Sequence, residues 1–521
     1  RDFKETPFFR VIGVYKKDRE DQNFVQAEWK AVKQSKYFES PLLYKENGFK
    51  KEEDARKLIA ELEKEEAVAE SIETGISRKK APLLFNLAEL QAECAKRFKI
   101  SPDETLLAAQ ELYEKKLTTY PRTDARVLST AVAKEIKKNI AGLKYYEPAA
   151  AFAERIIQEN RYRNIAKTQY TDDGKITDHY AIIPTGQTLR KESLSSLQKS
   201  VYDLIVRRFL SIFYPPAEYK TIKLTVKAGQ ERLFASAKQL IEPGYLEVAG
   251  IPAAESKKKE ENQQEAENEG LFVLASKIKS NDRLYTEQYE IREGKTSPPK
   301  RYTSGSMVLA MENAGQLIEE EELREQIRGT GIGTSATRAE IIKKLIRIGY
   351  LNLNKKTQVL TPQGLGEMIF EVVSMTVPAL LNPKMTASWE KGLDGITRGT
   401  VVMADYRSKL EDFIRRETVA MVEQDIRQEL AARIRPFVGK GAKGIAAKHE
   451  IGARCPVCGG EMETTPFGYG CSNYKKDKSG CGFLIFFIAG RALLEEEVKE
   501  LLCHGSTACL SGFVSKAKKK F

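Results

Sequence analysis

Leu117-Thr118-Thr119-Tyr120-Pro121-Arg122-Thr123-Asp124 is the stretch on which the reading of this chain turns. A tyrosine hydroxyl is a poor nucleophile at neutral pH because its ordinary pKa is about 10. Arg122, two positions on, brings a permanent charge on a planar fork that fits phosphate oxygens. The pairing suits attack on a phosphodiester, with the guanidinium holding the phosphate and drawing the phenol toward its ionised form. A Tyr-Pro-Arg tripeptide also occurs in plain surface turns, so the neighbouring sequence has to decide.

Two helices are expected just upstream. Asn86 caps the first, with Glu89 three residues on and Leu87, Leu90, Cys94 and Phe98 as its apolar face. Cys94 reads as a small core hydrophobe on that face. Ser101-Pro102-Asp103-Glu104 is a capping box with proline at the first helical position, and it opens the helix that runs through Tyr113. Tyr120 then lies on a loop placed by rigid neighbours, as catalytic residues often do.

Further out, residues 1–79 mix short apolar alternation with a charged helical stretch, Glu52 to Ala69, and read as α+β. From about 201 to 252 the pattern is strand-like, as in Tyr219-Lys220-Thr221-Ile222-Lys223-Leu224. The run 253–270 is too polar to bury a core and is expected as a mobile surface insertion. Strand-like sequence is expected to resume at Leu271-Phe272-Val273-Leu274, and helices dominate from Ser304 to Arg435. Gly439-Lys440-Gly441-Ala442-Lys443-Gly444 reads as a basic linker.

Three more clusters carry chemistry. In Thr177-Asp178-His179-Tyr180-Ala181-Ile182-Ile183-Pro184-Thr185, His179 is one of only three histidines, flanked by an aspartate that can orient it. Its imidazole suits donation to a phosphate oxygen or proton transfer; a solvent-facing histidine at the start of a buried strand fits the same residues. Gly329-Thr330-Gly331-Ile332-Gly333-Thr334-Ser335-Ala336-Thr337-Arg338 leads into an apolar helix face. Thr337 and Glu340 are expected as a capping box and Gly349 as the helix end. Glycines, hydroxyls and an arginine converging on a helix N-terminus favour an anion, phosphate first. Gly294-Lys295-Thr296 lacks the first glycine of a P-loop, whose place Tyr289 takes, so no nucleoside triphosphate site is expected. Finally, Cys455-x2-Cys458-x12-Cys471-x9-Cys481 supplies four thiolates suited to a structural, tetrahedral zinc. Tyr469, Tyr474, Phe483 and Phe486 beside Lys475, Lys476 and Lys478 suit stacking on a single strand, and equally the module's own core and rim.

The bulk numbers agree with a nucleic-acid partner. The chain has 521 residues, enough for several cores, and 85 basic against 73 acidic side chains give a net charge of +12. No apolar run approaches the ~18 residues that span a bilayer, the opening residues show no signal-peptide pattern, and seven cysteines, four of them clustered, do not form a secreted disulfide framework. A reducing cytoplasm is the expected location, with no membrane partner.

Taken together and in order, the clusters resemble the type IA DNA topoisomerases, nearest to their bacterial topoisomerase III branch. The matching residues are Tyr120-Pro121-Arg122-Thr123-Asp124, Asp178-His179 with Ala181-Ile182-Ile183-Pro184-Thr185, Gly331-Ile332-Gly333-Thr334 with Ala336-Thr337-Arg338-Ala339, and Thr386-Ala387 with Trp389-Glu390. The resemblance implies that Tyr120 attacks a single-stranded phosphodiester to form a 5′-phosphotyrosine, that Arg122 positions the scissile phosphate and that His179 contacts it. It implies DNA contacts from Thr123, Asp124, Gly331, Gly333, Thr334, Thr337 and Arg338, and zinc on Cys455, Cys458, Cys471 and Cys481. Strand passage and resealing would need no ATP, on single-stranded or negatively supercoiled DNA, by a monomer. Ala125, Ser335 and Tyr180 depart mildly from the family pattern.

By the same resemblance the fold is a multidomain α+β assembly, helical domains joined by a β-rich arch around a central hole, with a C-terminal zinc ribbon. Residues 1–79 and 206–298 would form the arch, 80–205 the helical domain with Tyr120, 299–437 a helical strand-binding domain, and 438–521 the linker and ribbon. The family also has a Toprim domain whose acidic cluster binds Mg2+. None precedes Arg1, so the chain is expected to be an N-terminally truncated portion that binds single-stranded DNA without cleaving it efficiently. Asp172, Asp173 and Asp178 read as a polar loop rather than that cluster. A tyrosine recombinase would need His-x-x-Arg, whereas Ile182 follows His179; a relaxase would need a histidine pair. A non-catalytic single-stranded DNA-binding protein explains the charge and the cysteines but leaves the Tyr120 and His179 motifs without a role.

Overall fold

The structure is a computed structural model that describes residues 3–187, 194–250, 269–314, 331–434, 437, 450–465, 468–474, 479–486, 493–510 and 513. Of the insertion expected at 253–270, residues 253–268 lie outside the described residues, as do the Gly439–Gly444 linker and Gly329, Thr330, Lys475, Lys476 and Lys478; Glu269 and Gly270 are helical. The chain forms two compact units. One comprises Arg1–Glu312, Gly333–Ala339 and Lys355–Val359; the other comprises Asn313–Ile332, Glu340–Asn354 and Leu360–Phe521.

The first unit holds an 8-stranded sheet. Its strands are β1 (Pro7–Lys16), β2 (Val25–Trp29), β3 (Leu43–Lys45), β4 (Gly48–Phe49), β5 (Ala67–Lys79), β6 (Ala217–Ala228), β7 (Glu231–Glu242) and β8 (Tyr285–Lys295). They run β3-β4-β1-β2-β7-β6-β5, with β8 also on β1, and every pairing is antiparallel. Period-two patterning produces this sheet: Ile222, Leu224, Val226 and Ala228 of β6 face the core while Lys223 and Lys227 between them are exposed. Helix α1 (Glu52–Leu62) contributes Ala55, Leu58 and Leu62 to the same core.

Trp29 is fully buried and stacks on Phe49 at 5.1 Å. The buried Glu231 carboxylate beside it accepts from Trp29 Nε1 at 2.7 Å, Ser35 Oγ at 2.6 Å and the Lys36 N–H at 3.0 Å. A buried charge is tolerated there because its lone pairs are filled.

Three expectations fail in this unit. The strand-like pattern expected from about 201 begins only at Ala217, because 201–211 belong to a helix, Ser196–Ser211, whose buried Val201, Ile205 and Phe209 recur at helical spacing. The charged helix expected over Glu52 to Ala69 ends at Leu62, and Ala67–Ala69 open β5. Leu271–Leu274 is not a strand but part of a helix over 269–277. Leu271, Leu274 and Ile278 are the buried positions, and their spacing is helical; four consecutive apolar residues had concealed that period.

A second core, made of helices, carries the tyrosine. It comprises α2 (Leu87–Phe98), α3 (Pro102–Glu114), α4 (Thr130–Gly142), α5 (Ala150–Gln158), α6 (Ser196–Ser211) and the short α7 (Leu246–Ala249). The helix over 269–277 becomes α8, and α9 (Ser304–Glu312) packs on α2 through Gly305. A Cβ at Gly305 would fall 2.7 Å from the Cα of Ala92, so only glycine permits that approach.

The second unit holds a hairpin of Leu351–Leu353 with Leu360–Pro362, then helices Gly364–Thr376, Pro383–Thr397, Met403–Glu423 and Arg427–Ile434. A 4-stranded antiparallel sheet follows, Glu450–Arg454, Glu461–Thr465, Gly468–Cys471 and Leu484–Phe486, with helix Glu495–His504 against it. Among the described residues no helix is long and apolar enough to cross a membrane.

Candidate active site and cysteine cluster

The position of Tyr120 begins with how α3 starts and stops. Ser101 and Glu104 form the expected capping box, the Ser101 N–H donating to the Glu104 carboxylate at 2.7 Å. The helix ends in a Schellman closure. The Leu117 N–H bonds the Leu112 carbonyl at 2.9 Å, the Lys116 N–H bonds that of Tyr113 at 2.8 Å, and Lys116 sits in the left-handed region at φ +61°. Leu112 and Leu117 are both buried, the apolar contact that accompanies this motif.

From there the chain lies antiparallel to the His179 segment. The Thr185 N–H bonds the Leu117 carbonyl and the Thr119 N–H bonds the Ile183 carbonyl, both at 2.9 Å. Threonine hydroxyls complete the zipper: Thr119 Oγ1 donates to the Ala181 carbonyl at 3.0 Å, and Thr123 Oγ1 to that of His179 at 2.7 Å. Gly186, at φ +82°, lets this segment pass against α4, because a Cβ there would fall 2.8 Å from the Asn139 Cα. Asn139 Nδ2 donates to the Pro184 carbonyl at 2.9 Å.

The zipper sets Tyr120 beside His179, with ring centroids 4.6 Å apart and planes at 50°. Tyr113 meets the other side of Tyr120 edge-on at 5.4 Å. The phenol is half-buried and borders an open cavity of about 560 Å3, whose walls include Tyr113, Lys116, Thr119, His179 and Tyr180. That volume falls in the range of small-ligand sites, ~300–1,000 Å3. Asp178 does not orient His179 as expected: it is exposed, with no side-chain partner among the described residues, and the imidazole is placed by Tyr120 and by its own anchored carbonyl.

The glycine-rich turn joins the same site. Arg122 Nη1 donates to the Ala336 carbonyl at 3.5 Å, leaving the rest of its fork half-exposed. Thr334 and Thr337 are exposed and Gly333 takes φ +69°. Thr337 Oγ1 accepts the Thr334 N–H at 2.9 Å, and Glu340 pairs with Lys343 at 3.4 Å, so the threonine fastens the turn rather than boxing with Glu340. Gly331 falls in the second unit.

Arg338 is only 5% exposed. Its Nη1 lies 3.1 Å from the Asp124 carboxylate and 3.7 Å from that of Glu312. Burial pushes the Glu312 carboxyl above the usual range, against the pull of Arg338.

Three contributors escaped the sequence reading. Tyr113 closes one wall, yet a lone helix tyrosine carries no signal. Asn86 was visible as a cap, and its Oδ1 does accept the Glu89 N–H at 2.9 Å, but its Nδ2 also reaches the Asp124 carbonyl at 3.2 Å and Glu312 at 2.7 Å. Glu312 had one clue: it is the sole charged residue of an apolar helix.

In the second unit the four cysteines converge. All four Sγ atoms lie within 4.8 Å of one another, with Cys455–Cys481 at 3.7 Å and Cys458–Cys471 at 3.3 Å. A tetrahedral zinc with bonds of about 2.3 Å spaces its sulfurs by about 3.8 Å, so the donor set fits. Asn473 helps most: its amide donates to Cys458 Sγ at 3.5 Å, and with the Gly460 N–H it draws that thiol down to about 6. Cys503 and Cys509 stand outside the cluster, exposed. Tyr469 donates its hydroxyl to the Leu493 carbonyl at 2.9 Å and packs with Phe483 on the small core, while Tyr474 is exposed.

A family profile described as DNA topoisomerase matches residues 10–408. The chain belongs to the type IA DNA topoisomerases. A second profile, the C-terminal repeat of topoisomerase, matches residues 480–521. DNA topoisomerase 3 of Bacillus subtilis is 31% identical over 442 residues, covering 80% of this chain and 58% of that protein. DNA topoisomerase 3 of Bacillus licheniformis is 30% identical over 439 residues, covering 79% of this chain and 58% of that protein. DNA topoisomerase 3 of Shouchella clausii is 32% identical over 414 residues, covering 78% and 51%. The chain thus spans little more than half the length of these relatives. Full-length topoisomerase I from Thermotoga maritima shares the fold at a TM-score of 0.50 and 20% identity, covering 91% of this chain and 66% of that one.

Proposed function

We propose that this topoisomerase breaks one DNA strand with Tyr120 and reseals it from a 5′-phosphotyrosine ester. The phenolate oxygen of Tyr120 forms the new bond to phosphorus, the bond to the 3′ oxygen breaks, and that oxygen leaves as a hydroxyl after taking a proton. Because the ester retains the energy of the phosphodiester, reversal needs no nucleotide cofactor. Arg122 neutralises the scissile phosphate with the part of its fork left open. His179, against the phenol, donates to the same phosphate or carries the proton. The observation that carries this reading is the 4.6 Å Tyr120–His179 contact at the wall of an open cavity, on a loop bonded at both ends.

In this reading Thr123, Asp124 and Arg338 shape the site from within, while the exposed Thr334 and Thr337 and the N–H groups of the turn meet the strand. The substrate is single-stranded or negatively supercoiled DNA, which suits a net charge of +12. Cys455, Cys458, Cys471 and Cys481 would hold a zinc ion that ties the ribbon together. The cysteine set is the one His/Cys/Asp/Glu cluster found among the described residues, and it does not suit Mg2+, which takes oxygen ligands.

An end-labelled single-stranded oligonucleotide whose leaving 3′ oxygen is replaced by sulfur, a better leaving group, tests the nucleophile. The wild-type chain should yield a denaturant-resistant protein–DNA adduct, and Tyr120→Phe should bind the oligonucleotide but yield none. Equal adduct from both proteins would sink the assignment. Binding without adduct from either would favour a non-catalytic DNA-binding role.

A further inference from the structure

We propose that Glu312 is a positioning residue for the tyrosine-bearing turn, acting through Asn86 and Arg338 on Asp124. The proposal rests on the reading of Tyr120 and Arg122 given above. Glu312 ends α9, its side chain is 18% exposed, and it is not among the residues that line the Tyr120 cavity. It therefore acts at second hand, through two intermediaries that both end on Asp124.

The first intermediary is Asn86. Its Nδ2 donates to Glu312 Oε1 at 2.7 Å and to the main-chain carbonyl of Asp124 at 3.2 Å. The second is Arg338, whose Nη1 lies 3.7 Å from Glu312 and 3.1 Å from the Asp124 carboxylate. One carboxylate is thereby linked to both the backbone and the side chain of the residue two positions beyond Arg122. The neighbouring Thr123 carbonyl accepts the Leu87 N–H at 3.1 Å, so the exit of the turn is tied to the start of α2.

Arg338 makes the arrangement depend on Glu312. Its guanidinium is nearly buried, and its Nε has no hydrogen-bond partner among the described residues. What orients it is a pair of carboxylates. Asp124, 53% exposed, is the outer one, and Glu312 is the inner one. Without the inner charge, Arg338 would have only a solvent-facing partner on the very loop it is meant to hold. A buried cation that loses one partner moves or recruits water. Either response releases Asp124 and lets the Tyr120–Arg122 turn vary in angle, and small errors in such geometry are costly to reaction.

The test uses the full chain with Glu312→Gln, which keeps size and the Asn86 contact while removing the charge, and Glu312→Asp, which keeps the charge. Amide hydrogen exchange reads the result at Leu87, Thr123 and Ala125, whose N–H groups or neighbours form the turn, and at Ile182 and Ile183 as internal controls. Glu312→Gln should speed exchange at Thr123 and Ala125 by about tenfold or more while the controls and the thermal midpoint hold. It should also weaken single-stranded oligonucleotide binding, with Glu312→Asp recovering part of both. Unchanged exchange at Thr123 and Ala125 would overturn the proposal. So would an equal rise at turn and controls with a lowered midpoint, which marks a merely structural residue. If Glu312→Gln does not fold, Arg338→Lys gives the same readout from the other end of the contact. Exchange requires no chemistry at Tyr120, so a failed adduct assay would defeat the nucleophile assignment and leave this one standing.

Discussion

The tyrosine loop and the cysteine ribbon both gather distant residues into a small site, but different forces do the gathering. The loop is held by main-chain and hydroxyl hydrogen bonds to the 179–185 segment, on a base of buried helices. The ribbon has a core of a few side chains, among them Met462, Leu493 and Val498, and its four sulfurs sit ready for an ion. A site on a large core keeps its shape without its ligand; a ribbon this small would draw much of its stability from the ion its cysteines are proposed to hold.

The largest expected effect therefore falls on the ribbon. Cys471→Ser, or stripping the metal with a chelator, should remove about 10 kcal/mol of metal-linked stability from residues 450–510 and melt that module. Calorimetry should show its transition vanish while the main transition of the first unit stays. A ribbon that keeps its near-ultraviolet signal without metal would break the contrast.

Next comes Thr123→Val. The buried Thr123 hydroxyl bonds the His179 carbonyl and accepts the Ala125 N–H at 3.1 Å. Its loss should cost about 2–3 kcal/mol in denaturant unfolding and lower adduct yield more than affinity. A smaller effect, about 1 kcal/mol, is expected for Ser101→Ala, which removes the capping box at the base of the loop.

The smallest is a pH dependence. Burial raises the Glu312 carboxyl in the folded chain, in spite of Arg338, with Asp124 and Glu89 also raising it and Asn86 lowering it. A group raised on folding stabilises below its unfolded value and loses that contribution as pH rises through the folded one. First-unit stability should thus decline slightly as pH climbs from about 4 toward neutrality, and Glu312→Gln should flatten that slope; an unchanged slope would remove Glu312 from the explanation.

Much of this was legible in the chain and some was not, for physical reasons. The cysteines announce themselves because metal ligands cluster at short spacing, and the capping residues of α2 and α3 because a cap is a local event. Tyr120 and His179 were visible as types, but their meeting depends on a turn through Lys116, and lysine gives no hint of a left-handed residue. Arg338 was legible as a cation beside a glycine-rich turn, but not its place between two carboxylates, one of them on a helix that no local pattern connects to the site. The helix over 269–277 was misread because its buried face was hidden inside a uniformly apolar run.

The strand ends have a mechanical consequence. Lys79 lies opposite Ala217, and Glu218 opposite Glu242, so β5, β6 and β7 all meet the helical body along one margin of the sheet. Three side-by-side attachments act like the leaf of a door fitting. Flexing across these three strands bends only soft backbone torsions, whereas shear within their plane must slide whole ladders of bonds past one another. Torque on the helical body would load these three strand ends together.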